Sequence, residues 1–337
     1  MMITDHVTLD HGSGGEASRD LVNEILISRL DNEFLRRLDD SAVVDLSGGR
    51  WAMTTDSYVV DPIFFPGGDI GSLAVHGTVN DLAMQGATPL YLTLGLILEE
   101  GLPMADLERI VDSVAHAARE ADVKVVAGDT KVVPKGNLDK IFINTSGIGS
   151  VLAGVDVSSH NAMPGDLVII NGNIGDHGIA ILTSREGLDF KTGLISDSAP
   201  LNSLASRILK AASGVHVLRD PTRGGVATAL NEVAGQSGVG IQLFEQALPV
   251  DSAVAAASEI LGLDPLYLAN EGKALVAVAS KDADTVLRAM KRDKHGKGSA
   301  IIGEVTDHHP GQVLLKTRVG GTRILSMLTG EQLPRIC

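Results

Sequence analysis

Between residues 41 and 150 the chain alternates short, apolar, β-branched runs with helical stretches, a pattern that folds as helices layered on a sheet. Strands are predicted at "SAVVDL", "WAMTTDSYVV", "PLYLTLGLIL", "VKVVAG" and "KIFINTSGIG". Helices are predicted from about Ala17 to Leu30, at "GSLAVHGTVNDLAMQGA" and at "MADLERIVDSVAHAAREA". A second unit opens at "NAMPGDLVIING", where a turn-forming Pro-Gly precedes a β-branched strand. It holds helices at "LNSLASRILKAAS", "GGVATALNEVAGQSG", "SAVAAASEILG" and "DADTVLRAMKRD", strands at "VGIQLF", "ALVAVA" and "SAIIGEV", and a closing hairpin of "QVLLKT" with "TRILSML". The 337 residues also exceed what one core accommodates, roughly 250 to 300. The expected fold class is therefore α+β (mixed α/β), with an N-terminal domain over 1–152 and a C-terminal α/β domain over 153–326. The remaining tail, 327–337, lacks periodicity and is expected to be a mobile arm. At about 3.3 Å per residue, its last nine residues or so reach about 30 Å.

Composition narrows the function classes. Hydrophobic residues make up 44% and charged residues 21%, and no apolar run approaches the 18 or so residues of a membrane span. With no basic-then-apolar segment at the N-terminus, a soluble, cytoplasmic protein is expected. A net charge of −14 argues against nucleic acid as a partner. Cys337 is the single cysteine, which excludes an intrachain disulfide and a cysteine-based zinc cluster. Any resident metal must be held by carboxylates or histidines.

Carboxylates recur in "LDDSAVV", "TTDSYVV", "TVNDLAMQG" and "VVAGDTKVV". Each taken alone is an ordinary turn or capping Asp. As a set, Asp40, Asp56, Asp81 and Asp129 are the hard oxygen donors that Mg²⁺ with nucleotide phosphates requires. "HGSGG", containing Gly12, Gly14 and Gly15, precedes a helix and offers backbone N–H groups to phosphate. "RDPTRGGVATALNE" sets Asp220, Thr222 and Arg223 ahead of another helix, combining an anion-friendly N-terminus with a guanidinium. In "YLANEGKAL", Glu271 and Lys273 read either as a turn ion pair or as a proton-transfer carboxylate at a cleft. Lys131 either pairs with Asp129 or lies near substrate as a cation. His308 and His309, followed by Pro310 and Gly311, read as turn histidines, and His76 as a packed or networked side chain.

Taken in order, "LDDSAVV", "TTDSYVV", "TVNDLAMQGATPLY", "VVAGDT", "DPTRGGVATALNE" and "NEGK" resemble the aminoimidazole ribonucleotide synthetase superfamily of two-domain, ATP-dependent enzymes, over about residues 11–317. Within it, the terminal "PRIC" is similar to the carbamoyl dehydratases of hydrogenase maturation. Selenophosphate synthetases carry Cys or selenocysteine in their glycine-rich segment, where this chain has "HGSGG", and thiamine monophosphate kinases need no terminal thiol.

The resemblance implies that a carbamoyltransferase, HypF, loads a carbamoyl group onto the sulfur of Cys337. The tail then enters its own protein's ATP site. ATP phosphorylates the carboxamide oxygen, and loss of the remaining N–H proton expels phosphate and leaves a thiocyanate. Cyanide passes on to iron on a HypC–HypD scaffold. Asp40, Asp56, Asp81 and Asp129 would hold Mg²⁺ and through it ATP, with Asn80, Arg223 and the glycines Gly12, Gly14 and Gly15 also at the nucleotide. Glu271 would be the base and Lys131 the cation that stabilises charge on oxygen. A homodimer paired through the first sheets is implied too. At the thiol, the terminal carboxylate raises the pKa and Arg335 opposes it. Two other readings are a synthetase or kinase of the same superfamily acting on a free small molecule, and a non-catalytic carrier that uses the thiol as a metal ligand.

Overall fold

The structure, a computed structural model, describes residues 8–30, 32–185, 193–330, 333 and 335–337. Helix α1 (Glu16–Leu21) runs through a π-helical stretch, Val22–Ile27, into a last turn, α2 (Ser28–Leu30). The first sheet is built from β1 (Ala42–Leu46), β2 (Gly49–Tyr58), β5 (Ala87–Glu99), β6 (Lys124–Val133) and β7 (Ile141–Val151), in the order β1-β2-β7-β5-β6. Only β5 and β6 pair in parallel. The two-residue strands β3 (Phe64–Phe65) and β4 (Gly68–Asp69) lead into helix α3 (Ile70–Met84).

Asp69 caps α3: its carboxylate accepts from the N–H groups of Gly71 and Ser72, and Ser72 Oγ returns the contact to the Asp69 N–H. This helix is buried nearly all round because the sheet covers one side and the second unit the other. Helix α4 (Met104–Glu120) buries only a stripe, Ile110, Val114, Ala117 and Ala118, as its pattern predicts.

The second sheet contains β8 (Asp166–Ile170), β9 (Val215–Arg219), β10 (Gly240–Phe244), β11 (Leu275–Ala279), β12 (Ala300–Thr306), β13 (Val313–Lys316) and β14 (Thr322–Leu325), in the order β14-β13-β10-β12-β8-β11-β9. Its helices are α5 (Asp176–Ser184), α6 (Asn202–Ala211), α7 (Gly225–Ser237), α8 (Ser252–Leu261) and α9 (Ser280–Lys291). Strand alternation sends Val168 and Ile170 into a core with α7 residues Val226, Leu230 and Val233. Ile169 points the other way, toward Leu204 and Ile208 of α6 and Val286 and Met290 of α9. Ala83 and Met84, at the end of α3, join this second core and lock the two units together.

The mixed α/β class holds, and no helix among the described residues is long and apolar enough to cross a membrane. Strand β9, helix α5 and the β3–β4 hairpin go beyond the elements predicted. Two further differences bear on function. First, β6 continues through Asp129 and Lys131 to Val133, so these residues lie within an exposed edge strand and not at an element's end. Second, the tail, expected as a mobile arm, is docked. Its Ile336 pairs with Val60, the Val59 N–H donates to the Cys337 carbonyl at 3.0 Å, and the Asp61 N–H donates to Arg335 at 3.1 Å. Ile336 is buried among Tyr58, Ile70 and Ile141. A three-residue pairing across some 275 positions leaves no local periodicity to read.

Candidate active site

Docking brings the tail to the NEGK segment. Cys337 as a whole is half-buried, but its thiol faces inward, where Arg223, Glu271 and Asp56 act on it. Burial, opposed by Arg223 and reinforced by Glu271 and Asp56, pushes the thiol up to about 12. Glu271 is 3% exposed, and its carboxyl is raised well above the usual range by burial and by the neighbouring Asp220 and Asp197 charges, against Arg223. Its Oε1 has no partner among the described residues. Of the two readings of this run, the turn ion pair with Lys273 does not form: Lys273 Nζ meets Asp197 at 2.7 Å, and Asp197 also accepts from the Glu271 N–H at 3.0 Å. Glu271 thus keeps a free carboxyl aimed at the thiol.

The cation at the thiol is Arg223, for which the Cys337 charge is the largest influence. Arg335, expected to oppose the thiol's high pKa, pairs instead with Asp61 at 3.2 Å and with Asp139. Between Arg223, Tyr267, Leu333 and Cys337 and the segment containing Gly12 and Ser13 lies a cavity of about 450 Å³. Gly14, at φ +76°, lets this segment close on Arg223; a Cβ there would sit 2.8 Å from the Arg223 Cβ. The Gly14 and Gly15 N–H groups already donate to Ser18 Oγ and Ser13 Oγ, so these two glycines serve close packing here.

A second focus lies beside the first. Asp40, Asp81 and Asp220 place carboxylate oxygens within 4.8 Å of one another. Asp40 pairs with Arg219 yet leaves Oδ2 without a partner among the described residues, and Thr54 Oγ1 donates to Asp81 at 2.9 Å. Burial first, then the neighbouring carboxylates, raises Asp81 well above the carboxylate range. Asp220 is raised to about 6 by burial, with Arg219 opposing and Asp56 reinforcing. Three converging hard oxygens, one of them orphaned, fit a divalent cation such as Mg²⁺. Asp56 accepts from Tyr58 and Thr78 hydroxyls at 3.2 Å, and its charge is felt at Asp81, Asp220, Glu271 and Cys337, so it stands between the two foci.

Of the expected metal set, the fold gathers Asp40 and Asp81 with Asp56 adjacent. Asp129 is elsewhere, exposed on β6 and paired with Lys131 at 2.7 Å. Lys131 shares that position and is not among the groups acting on Cys337. Asn80, expected at the nucleotide, has its amide engaged within the protein: Nδ2 donates to the Ala199 and Glu271 carbonyls, and Oδ1 accepts from the Leu201 N–H. It carries the Glu271 segment on α3. Asp220, read in sequence as part of an anion motif, completes the carboxylate cluster. Asp197 and His177, which donates to the Ile336 carbonyl, had no signal beyond a polar "SDS" run and an isolated "DHG".

The family models of AIR synthase related proteins match residues 38–151 for the N-terminal domain and 163–316 for the C-terminal domain. The carbamoyl dehydratase HypE of Cupriavidus necator is 52% identical over 332 residues, 98% of this chain and 95% of the relative. The chain belongs to the HypE carbamoyl dehydratase family. Among solved structures, a HypE–HypF complex superposes with a TM-score of 0.87 at 51% identity, covering 91% of this chain and 99% of that one. A HypE in complex with ATP gives 0.84 at 51%, covering 98% and 100%.

Proposed function

We propose that this protein dehydrates an S-carbamoyl group on its own Cys337 to a thiocyanate at the expense of ATP, supplying cyanide for the iron of a NiFe hydrogenase. The observation that carries this reading is the docked tail, which buries the Cys337 thiol beside Arg223 and the buried Glu271. Family membership supports it, as do the HypF and ATP complexes of relatives 51% identical.

The residues divide the work. Asp40, Asp81 and Asp220, with Asp56 beside them, would hold Mg²⁺. Bound Mg²⁺–ATP supplies the phosphoryl group that turns the carbamoyl oxygen into a leaving group. Arg223 supplies positive charge where anionic oxygen develops. Glu271, with its proton affinity raised by burial, is the base that takes the nitrogen-bound proton as the nitrile forms. Its own partners, the Asp197 carboxylate at the N–H and the Asn80 amide at the carbonyl, hold the backbone and leave the carboxyl free.

HypF is the proposed carbamoyl donor, and a HypC–HypD scaffold the proposed acceptor of cyanide. We further propose a homodimer paired at the first sheet. The exposed edge strand β6 presents Val126 and Val132, 58% and 65% exposed, on either side of Asp129 and Lys131. A second copy covering that edge would give these two residues a place in a site completed by the partner.

The test is the mass of the C-terminal peptide after incubation with HypF and its carbamoyl donor, before and after Mg²⁺–ATP. A carbamoyl adduct on Cys337 that loses one water only with ATP is expected. An unmodified Cys337 beside an active transferase would favour the free-substrate synthetase or kinase.

A further inference from the structure

The tail's hold on the site passes through one imidazole. His177, at the start of α5, is fully buried, and its ring stands edge-on to Phe65 with centroids 5.7 Å apart. Its Nε2 lies 2.8 Å from the Ile336 carbonyl, one residue before the reactive cysteine. A carbonyl only accepts, so Nε2 carries the hydrogen. Nδ1 is then the lone-pair nitrogen and accepts from the Ser196 hydroxyl at 2.8 Å. Burial lowers the ring's pKa, consistent with this neutral form.

Ser196 begins a three-residue segment whose members face three different groups. Ser196 donates to Nδ1 of His177 and so holds the ring from its far side. Asp197 binds Lys273 at 2.7 Å and accepts from the Glu271 N–H at 3.0 Å. Ser198 Oγ meets Nδ1 of His76, on α3, at 2.9 Å. The segment lies directly on the base: a Cβ at Gly272 would fall 1.8 Å from the Asp197 carbonyl. One short stretch of backbone therefore sets both the residue that grips the tail and the carboxylate that faces its thiol.

We infer that His177 is a positioning residue: through Ser196–Ser198 it registers the docked tail against Glu271. The inference rests on the proposed dehydration only for its consequence, and its first readout is independent of that chemistry. In ATP-free protein, alkylation of Cys337 by iodoacetamide, followed by mass, measures how tightly the tail is held. His177→Leu, which keeps bulk but removes the donor, should raise that rate about tenfold or more, equivalent to weakening the dock by about 1.4 kcal/mol. It should slow single-turnover dehydration of the preloaded tail while sparing ATP binding and carbamoyl loading. His177→Gln, whose amide retains an N–H donor, should restore both rates to within a few-fold of wild type.

An alkylation rate unchanged in a folded His177→Leu protein overturns the inference. So does a His177→Gln protein as impaired as His177→Leu, because then the ring's shape and not its hydrogen bond matters. If His177→Leu fails to fold, Ser196→Ala removes the hydrogen bond that holds the ring at Nδ1 and keeps the ring itself. Faster alkylation in that variant supports the inference, and a wild-type rate overturns it. If wild type shows no dehydration while alkylation responds as expected, the proposed function fails and the positioning role stands.

Discussion

Asp81 and Asp129 were read from the sequence as equivalent metal ligands, and the fold treats them in opposite ways. Asp129 lies on the exposed edge of the first sheet, where Lys131 and the Thr130 N–H hold its carboxyl below the ordinary range. Asp81 lies within α3 beside Asp40 and Asp220, and burial raises its carboxyl well above that range. One carboxylate has its counter-charge at hand and lacks only a surface to cover it. The other is crowded by like charge, and a proton or a divalent cation must supply what its neighbours do not. Identical chemistry at two positions thus becomes an exposed ion pair in one place and a buried carboxylate cluster, the proposed cation site, in the other.

The largest effect that tests this contrast is at the buried cluster. Asp81→Asn should weaken Mg²⁺-dependent ATP binding by about 100-fold or more, measured by calorimetry with and without Mg²⁺. Unchanged affinity would remove Asp81 from the cation site. Next, Glu271→Gln keeps the shape and removes the base. Single-turnover dehydration should fall by roughly 10² to 10⁴-fold, and a wild-type rate would transfer the role elsewhere.

A smaller effect should appear at Asp176, another buried carboxylate. Burial first, then the Asp197 and Asp251 charges, raises it to about 6, against Lys273, and Oδ1 lacks a partner among the described residues. An acid whose folded pKa is raised binds its proton more tightly folded than unfolded. Its stabilisation is complete below about pH 4, is lost as pH rises through about 6, and stays absent above. Asp176→Asn should therefore melt higher than wild type at pH 7.5, with the gap narrowing as pH falls through 6 and closing below about pH 4; a constant gap would show that its charge is not the cause. The smallest effect belongs to Asp129→Asn, whose exposed ion pair should leave the melting temperature of the isolated chain unchanged. A clear drop there would mean that the edge pair carries folding stability and is not waiting for a partner.

Much of this was legible in the chain. Strand periods, the Pro-Gly at the start of the second unit and the alternation around α3 mark local physics, and local physics predicts two sheets with helices on them. The glycine-rich segment, Arg223, Glu271 and Cys337 stand in short, chemically distinctive runs, and the fold lines one site with them. What was hidden depends on distant partners. Nothing near Asp220 distinguishes a cluster carboxylate from a helix-start Asp, and only Asp40 and Asp81, brought from the first unit, make it one. Lys273 looks like the partner of Glu271 because it is two residues away, yet Asp197 claims it from across a loop. The end of β6 is not legible locally, because "GDTKVV" reads as a turn while pairing with β5 keeps it extended.

The high proton affinity of the docked thiol has a consequence apart from catalysis. Peroxides and disulfides attack thiolates, and a thiol held near 12 is almost wholly protonated in a neutral cell. The dock is then a shelter against oxidation as well as the proposed reaction chamber, and it keeps the chain's only sulfhydryl intact while the tail is in place. Slower sulfenic acid formation in wild type than in a His177→Leu protein, under the same dose of peroxide, would display that protection directly.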